Sequence, residues 1–124
     1  MKDEFRIERI SKDNLNDLVC LHNNVHTDNK DYNYFLNLFS TEEFGNSFVG
    51  FIAYDSTNQA AANYSVFPIK LIQNNEIILA AQSGSTMTHN NHRKKGLFIL
   101  LANKTFELCK ELGIKIIYQI RAVN

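Results

Sequence analysis

The sequence contains few of the residues that cross-link small proteins or hold metals. It has two cysteines, one proline and no tryptophan in 124 residues. Cys20 and Cys109 lie far apart, each within an apolar helical pattern, so a disulfide has weak support and the two thiols do not make a metal site. We expect both to be buried free thiols and expect no bound metal.

The sequence also lacks an excess of either charge and any long apolar run. It has 13 basic and 13 acidic residues and a formal net charge of zero, whereas a broad nucleic-acid surface needs a basic excess. No apolar run approaches the roughly 18 residues that span a membrane. The N-terminal residues MKDEFRIERI lack the apolar core of a secretory signal. We therefore expect a cytoplasmic protein that binds neither nucleic acid nor a membrane.

The residues that are present predict one α/β (α+β) domain over residues 1–124. The apolar fraction of 44% is enough for a core. Apolar periodicity predicts the order β-α-α-β-β-β-α-β, with strands near 5–10, 47–55, 60–72, 77–88 and 114–120 and helices near 15–26, 31–44 and 97–112. The last strand–helix–strand unit predicts a parallel crossover. The expected fold is a mixed, mostly antiparallel sheet flanked by helices.

A basic loop separates the fourth predicted strand from the most regular helix. It contains Arg93-Lys94-Lys95-Gly96, and the helix that follows has Phe98 on its apolar face and Leu100 as an exception on the polar face. A helix N-terminus offers unpaired N–H groups and partial positive charge, and Gly96 has no Cβ to obstruct a ligand. The pattern predicts an anion site. A solvated basic turn is the alternative.

A glycine and four histidines elsewhere in the chain give weaker sequence signals. Gly84 within the fourth strand predicts a bulge, or the close approach of another backbone or a ligand. His22 and His26 are spaced like a metal pair on a helix, and His89 and His92 flank the basic loop. We interpret His22 and His26 as helix-surface residues. His89 and His92 have no evident third ligand and are interpreted as solvated loop residues, with contact to a phosphate or relay of a proton as the alternative.

Residues 88–118, THNNHRKKGLFILLANKTFELCKELGIKIIY, and the order of elements resemble the GNAT superfamily of acetyl-CoA-dependent N-acetyltransferases. The signature of that family, Arg/Gln-x-x-Gly-x-Gly/Ala, reads Arg93-Lys94-Lys95-Gly96-Leu97-Phe98 in this chain, with Phe98 at the final small-residue position. The resemblance implies transfer of an acetyl group from acetyl-CoA, the co-substrate, to an amine of an unknown acceptor.

The resemblance also implies which residues hold acetyl-CoA. Backbone groups at the end of the fourth strand, Thr86, Met87 and Thr88, would pair with the pantetheine arm. The motif opens with Arg93. The pyrophosphate would be held by the N–H groups of Lys94, Lys95, Gly96, Leu97, Phe98 and Ile99. The first two helices often border the acceptor in this family, which makes Tyr32 and Tyr34 candidates there.

Two departures from the family leave the catalytic residues unassigned. The family continues after the fifth strand with a helix and two strands, but only residues 120–124 remain here, and Gln119 stands where many members have a glutamate. The alternative function is therefore a catalytically degenerate acyl-CoA-binding or interaction domain. An exposed fifth strand also predicts a possible homodimer.

Overall fold

The computed structural model describes residues 4–118. Its strands are β1 (Arg6–Arg9), β2 (Gly50–Tyr54), β3 (Ala60–Gln73), β4 (Glu76–Thr88) and β5 (Ile116–Tyr118), and its helices are α1 (Leu15–Val25), α2 (Tyr32–Phe39) and α3 (Leu97–Glu111). Short 3-10 turns occupy Lys12–Asn14, Glu42–Phe44 and Asn90–His92. The predicted order of strands and helices is confirmed.

The five strands form one mixed sheet in the order β1-β2-β3-β4-β5. The first four strands pair antiparallel, and β5 pairs parallel to β4, as the crossover through α3 requires. The predicted mixed, mostly antiparallel sheet is therefore confirmed. None of the helices in the described residues is both long and apolar enough to cross a membrane.

Each face of the sheet packs against different helices. Leu97, Leu101 and Cys109 of α3 are buried with Val49 and Ala81 on one face. The other face packs against α1 and α2, whose buried apolar residues are Leu15, Leu18, Leu21, Phe35 and Phe39. Because each helix buries one apolar stripe, the sheet becomes the middle of three layers.

A β-bulge interrupts the pairing of β3 and β4. Tyr64 lies opposite Thr86, and Val66 lies opposite Ser83, so β4 has one more residue than β3 between these two pairs. The bulge predicted at Gly84 is confirmed. A Cβ at Gly84 would lie 2.1 Å from the ring of Phe67, so the close approach there comes from a side chain rather than a ligand or backbone.

Three expectations drawn from apolar pattern alone are wrong. Cys20 is exposed, although Cys109 is buried, and both are free thiols. Phe98, placed on the buried face of α3, is 50% exposed. The second helix ends at Phe39, because the chain turns there before the 3-10 segment that Gly45 closes with φ 98°. Gln119 and residues 120–124 lie outside the described residues.

Gly50→Ala should reduce the free energy of unfolding by about 1–3 kcal/mol, the usual cost of overpacking. A Cβ at Gly50 would lie 2.5 Å from the carbonyl oxygen of Tyr64 and 2.9 Å from the Cα of Ser65, so backbone would have to move. Urea unfolding followed by circular dichroism measures the change. The exposed Asn103→Ala serves as reference and should stay within about 0.5 kcal/mol of wild type. Equal stabilities of the two variants would contradict the prediction.

Candidate functional site

Strands β4 and β5 are paired over only a short length. Ala80, Ala81 and Gln82 pair with β5, while β4 continues to Thr88. Within the described residues, the part of β4 from Ser83 onward has β3 as its one neighbour in the sheet. Among residues 4–118, this part of β4 therefore has an edge without a strand partner, to which an extended ligand can pair.

Ladder geometry determines which backbone groups face the open edge. The Lys115 N–H donates to the Leu79 carbonyl across 2.9 Å, and the His89 N–H donates to the Ala61 carbonyl across 2.7 Å. Hydrogen-bonded and non-bonded pairs alternate along an antiparallel ladder. Counting from His89, the backbone of Met87 faces β3, whereas the backbones of Thr86 and Thr88 face the open edge.

An apolar cleft of about 480 Å³, called the α3 cleft, lies between α3 and strands β3, β4 and β5. It is lined by Tyr64, Ser83, Phe98, Ala102, Phe106, Ile117 and Tyr118. The Tyr64 and Ser83 hydroxyls are hydrogen-bonded at 2.7 Å, and Phe98 packs edge-on against the Tyr64 ring at 5.4 Å. Phe98 is half exposed because it faces this cleft.

The basic loop presents backbone N–H groups to one region. Lys94 has φ 64° and Gly96 has φ 76°, while the φ of Lys95 between them is not positive, and such alternation forms anion-binding concavities. The first intrahelical bond runs from Leu100 N–H to the Gly96 carbonyl. Within residues 4–118, the N–H groups of Leu97, Phe98 and Ile99 therefore donate to no acceptor. A Cβ on Gly96 would meet nothing within 4 Å.

The side chain of His92 anchors the loop to the turn between β2 and β3. Its Nε2 lies 2.9 Å from Oδ2 of Asp55, and its side chain is only 16% exposed, so the interpretation of His92 as a solvated loop residue is wrong. Burial acts to raise the pKa of Asp55, but hydrogen bonds from Thr57, Gln59 and His92 lower it to about 2. The ionised carboxylate can only accept, so His92 donates from Nε2, and its Nδ1 faces the Lys95 ammonium at 3.2 Å.

A second cleft, called the histidine cleft, lies on the other face of the sheet and has a volume of about 330 Å³. It is lined by His22, His26, Tyr34, Phe35, Leu38, Phe67, Ser85, Thr86 and Met87. The rings of His22 and His26 lie 4.6 Å apart. The side chain of His22 is 13% exposed, so its interpretation as a surface residue is wrong, whereas His26 is exposed. Tyr34 lines this cleft, whereas the hydroxyl of Tyr32 donates to the Lys12 carbonyl; their placement beside an acceptor stays a prediction. No group of three metal-ligating side chains occurs in the described part of the chain.

Asn63, which the sequence did not mark, supports the bulge between the two clefts. It is 1% exposed, and its Nδ2 donates to the Ser85 carbonyl and to the Ser65 hydroxyl, both at 3.1 Å. Its Oδ1 is buried with no partner among residues 4–118. The Ser85 carbonyl can only accept, so it determines the orientation of the amide. Asparagine in a strand gives no sequence signal for such a contact.

The sequence of the chain matches a known family along nearly its whole length. A sequence model described as the Acetyltransferase (GNAT) domain matches residues 6–120. The fold is therefore that of a GNAT-type α+β domain, and the chain belongs to the GNAT acetyltransferase family. No curated protein matches the sequence.

Solved structures show the same fold at low sequence identity. An aminoglycoside antibiotic 6'-N-acetyltransferase from Acinetobacter baumannii is 17% identical with a TM-score of 0.71, over 98% of this chain and 82% of that one. A glucosamine-6-phosphate N-acetyltransferase from Arabidopsis thaliana is 16% identical with a TM-score of 0.72, over 97% of this chain and 84% of that one. At sequence identities this low, the structural match establishes the fold alone.

Asp55→Asn should destabilise the protein by about 1–2 kcal/mol at pH 7, because it removes a charged hydrogen-bond acceptor. The folded pKa of Asp55 lies below its ordinary value, so its stabilisation is complete above about pH 4 and is lost as the pH falls toward 2. Urea unfolding of both proteins between pH 7 and 3 should therefore show a difference that shrinks below about pH 4. A difference independent of pH would contradict this assignment.

Proposed function

We propose that the protein is an acetyl-CoA-dependent N-acetyltransferase. The observation that carries the proposal is the open edge of β4, which leads directly to the uncapped N-terminus of α3. The proposed acetyl-CoA-binding residues are Thr86, Met87, Thr88, Arg93, Lys94, Lys95, Gly96, Leu97, Phe98 and Ile99. Family membership supports an acetyltransferase in general; the donor, the amine acceptor and these residues are our proposal.

The pyrophosphate of acetyl-CoA suits the N-terminus of α3. The helix dipole and the N–H groups of Leu97, Phe98 and Ile99 act on one anion, and the exposed side chains of Arg93 and Lys94 add positive charge. The backbone donors are already oriented, so they lose little entropy on binding. We therefore assign more of the phosphate affinity to the backbone than to the flexible basic side chains.

The pantetheine arm suits the open edge of β4. Its amide groups can pair with the backbones of Thr86 and Thr88, as a peptide does when it adds a strand to a sheet. Met87 faces β3 with its backbone, so the geometry does not favour the expected pairing of its backbone with the arm. We keep Met87 in the proposed set only for its buried side chain (4% exposed), which fixes the strand. Phe98 borders the same route from the α3 side.

The chemistry proposed is direct acyl transfer. The neutral amine attacks the thioester carbonyl carbon, a C–N bond forms, and the C–S bond breaks with its electron pair on sulfur. Positioning of the two reactants and removal of a proton from the amine are the tasks of the protein. The named substrates of the structural relatives, aminoglycosides and glucosamine-6-phosphate, both carry amines, the group that the proposed reaction requires.

The alternative is a domain that binds acyl-CoA without catalysis. It is favoured by the sequence, because Gln119 stands where the family resemblance implies a glutamate. Release of free thiol from acetyl-CoA with a panel of amines separates the two: amine-dependent release supports the enzyme, and binding without release supports the alternative.

We also propose a homodimer through β5. Its described residues have β4 as their one neighbouring strand, and Ile116 is 40% exposed. A monodisperse monomer in light scattering at high concentration would contradict the dimer. The cytoplasmic location stays a prediction.

Gly96→Ala should weaken acetyl-CoA binding at least tenfold, while Gly113→Ala should not. The two glycines have φ of +76° and +80°, and an added Cβ meets nothing within 4 Å at either position. Both variants should therefore lose a similar stability of about 1–2 kcal/mol, but only Gly96 lies where the pyrophosphate would approach. Titration calorimetry with acetyl-CoA and urea unfolding give the two quantities.

Wild-type protein should be stabilised by about 2.7 kcal/mol at an acetyl-CoA concentration 100 times the dissociation constant. Absence of any thermal shift at millimolar acetyl-CoA would contradict cofactor binding. Equal affinities of the Gly96→Ala and Gly113→Ala variants for acetyl-CoA would contradict the assignment of the basic loop to the acetyl-CoA site.

A further inference from the structure

The histidine cleft combines an apolar lining with two imidazoles. Phe35, Leu38, Phe67 and Met87 contribute apolar surface, and the titratable side chains among its described lining residues are His22, His26 and Tyr34. No carboxylate or ammonium group is among those described lining residues. A cleft of this composition has one group type, imidazole, that exchanges a proton near neutral pH.

The cleft also contacts the end of β4, along which the pantetheine arm is proposed to lie. Ser85 and Thr86 line it, while Ser83, two residues before Ser85, lines the α3 cleft on the other face. The bulge is therefore the part of the sheet that both clefts share. An amine in the histidine cleft and an acyl-CoA along β4 would meet at this bulge.

His22 is held in one tautomer by the loop between α1 and α2. Its Nε2 lies 3.1 Å from the backbone carbonyl of Asp28, and a carbonyl only accepts, so Nε2 carries the hydrogen and Nδ1 carries the lone pair. Its side chain is 13% exposed, and its ring packs edge-on against Phe35 at 5.6 Å. Nδ1 has no hydrogen-bond partner in the described part of the chain.

The Asp28 side chain lies beside Nε2 of His22. The Asp28 carboxylate lies 3.5 Å from Nε2 and also 3.5 Å from the Lys30 ammonium. Burial acts to raise the pKa of Asp28, but a backbone hydrogen bond and the charges of Lys30 and His22 lower it overall, so this carboxylate is ionised. The groups that face His22 are thus Asp28 with Lys30, His26 and Tyr34.

We propose that His22 is the general base of the reaction and that the acceptor is a monoamine with an apolar or aromatic body. This inference rests on the proposed acetyl-CoA-dependent transfer. The apolar walls accommodate such a body, whereas the cleft offers a polycation no carboxylate among its described lining residues. An aminoglycoside, which carries several ammonium groups, is therefore a poor fit.

The step balances in atoms and charge. Nδ1 of His22 takes one proton from the bound ammonium, and the freed amine attacks the thioester carbonyl. The C–N bond forms, the C–S bond breaks, and the second amine proton ends on the leaving sulfur. The products are the amide, the free thiol of coenzyme A and the imidazolium, which returns its proton to water.

The test compares His22→Gln with His26→Gln, the other imidazole of the same cleft. With acetyl-CoA and 2-phenylethylamine, His22→Gln should lower kcat about 10²–10⁴-fold, the usual contribution of a general base. Wild-type kcat should fall as the pH is lowered through the imidazole range, since protonated His22 cannot accept a proton. That acid limb should vanish in His22→Gln and persist in His26→Gln. Kanamycin should be acetylated more slowly than 2-phenylethylamine.

The acetyl-CoA dissociation constant, measured by calorimetry, is the readout of an intact fold and should change less than about twofold in His22→Gln. Loss of the acid limb in His26→Gln instead, a wild-type kcat with no acid limb, or faster turnover of kanamycin would each overturn the inference. Acetyl-CoA binding without acetylation of any amine would overturn it and leave cofactor binding standing. Absence of acetyl-CoA binding would overturn the proposed function itself.

Discussion

One extra residue in β4 is the constraint on which the rest of the site depends. The bulge opposite Ser65 shifts the alternation of backbone groups along β4. On the side of β4 away from β3, the exposed backbone groups are therefore those of Leu79 before the bulge and those of Thr86 and Thr88 after it. The same shift places Ser83 in one cleft and Ser85 in the other. The buried Asn63 amide holds the bulge, because its Nδ2 donates to the Ser85 carbonyl across 3.1 Å.

The basic loop is anchored to the β2–β3 turn through the side chain of His92. His92 bonds to Asp55 at 2.9 Å, and Asp55 in turn accepts hydrogen bonds within its own turn. The loop is therefore connected to the β2–β3 turn on one side and to the buried Leu97 on the other. Between these two anchors, Lys94 and Gly96 take positive φ, and the backbone N–H groups converge. The proposed anion site is compatible with a neutral chain, because such a site depends on oriented dipoles more than on net charge.

Much of the fold followed from patterns that extend over many residues. The 3.6-residue period of 97–112 and the aromatic and β-branched residues of 47–88 each describe an element whose buried side is decided by its own sequence. The errors concern single side chains. Cys20 lies in an apolar run yet is exposed, and Phe98 borders a cleft instead of the core. His92 is bonded to a residue 37 positions away. A local pattern cannot show which partner a folded chain brings to one residue.

The sequence by itself determined the order of elements, the parallel return through α3, and the glycine at the start of that helix, because periodicity and turn chemistry act over neighbouring residues. The tertiary structure alone decided which groups share a cleft. His22, Phe67 and Thr86 come from three separate elements, and the Asn63 and Asp55 contacts join strands and turns far apart in the chain. Long-range contacts depend on how layers pack, since a sheet and its helices must fill one volume at high density. The sequence determined the elements because secondary-structure propensity depends on neighbouring residues. Only the tertiary structure decided the shared clefts, because packing depends on residues that are far apart in the chain.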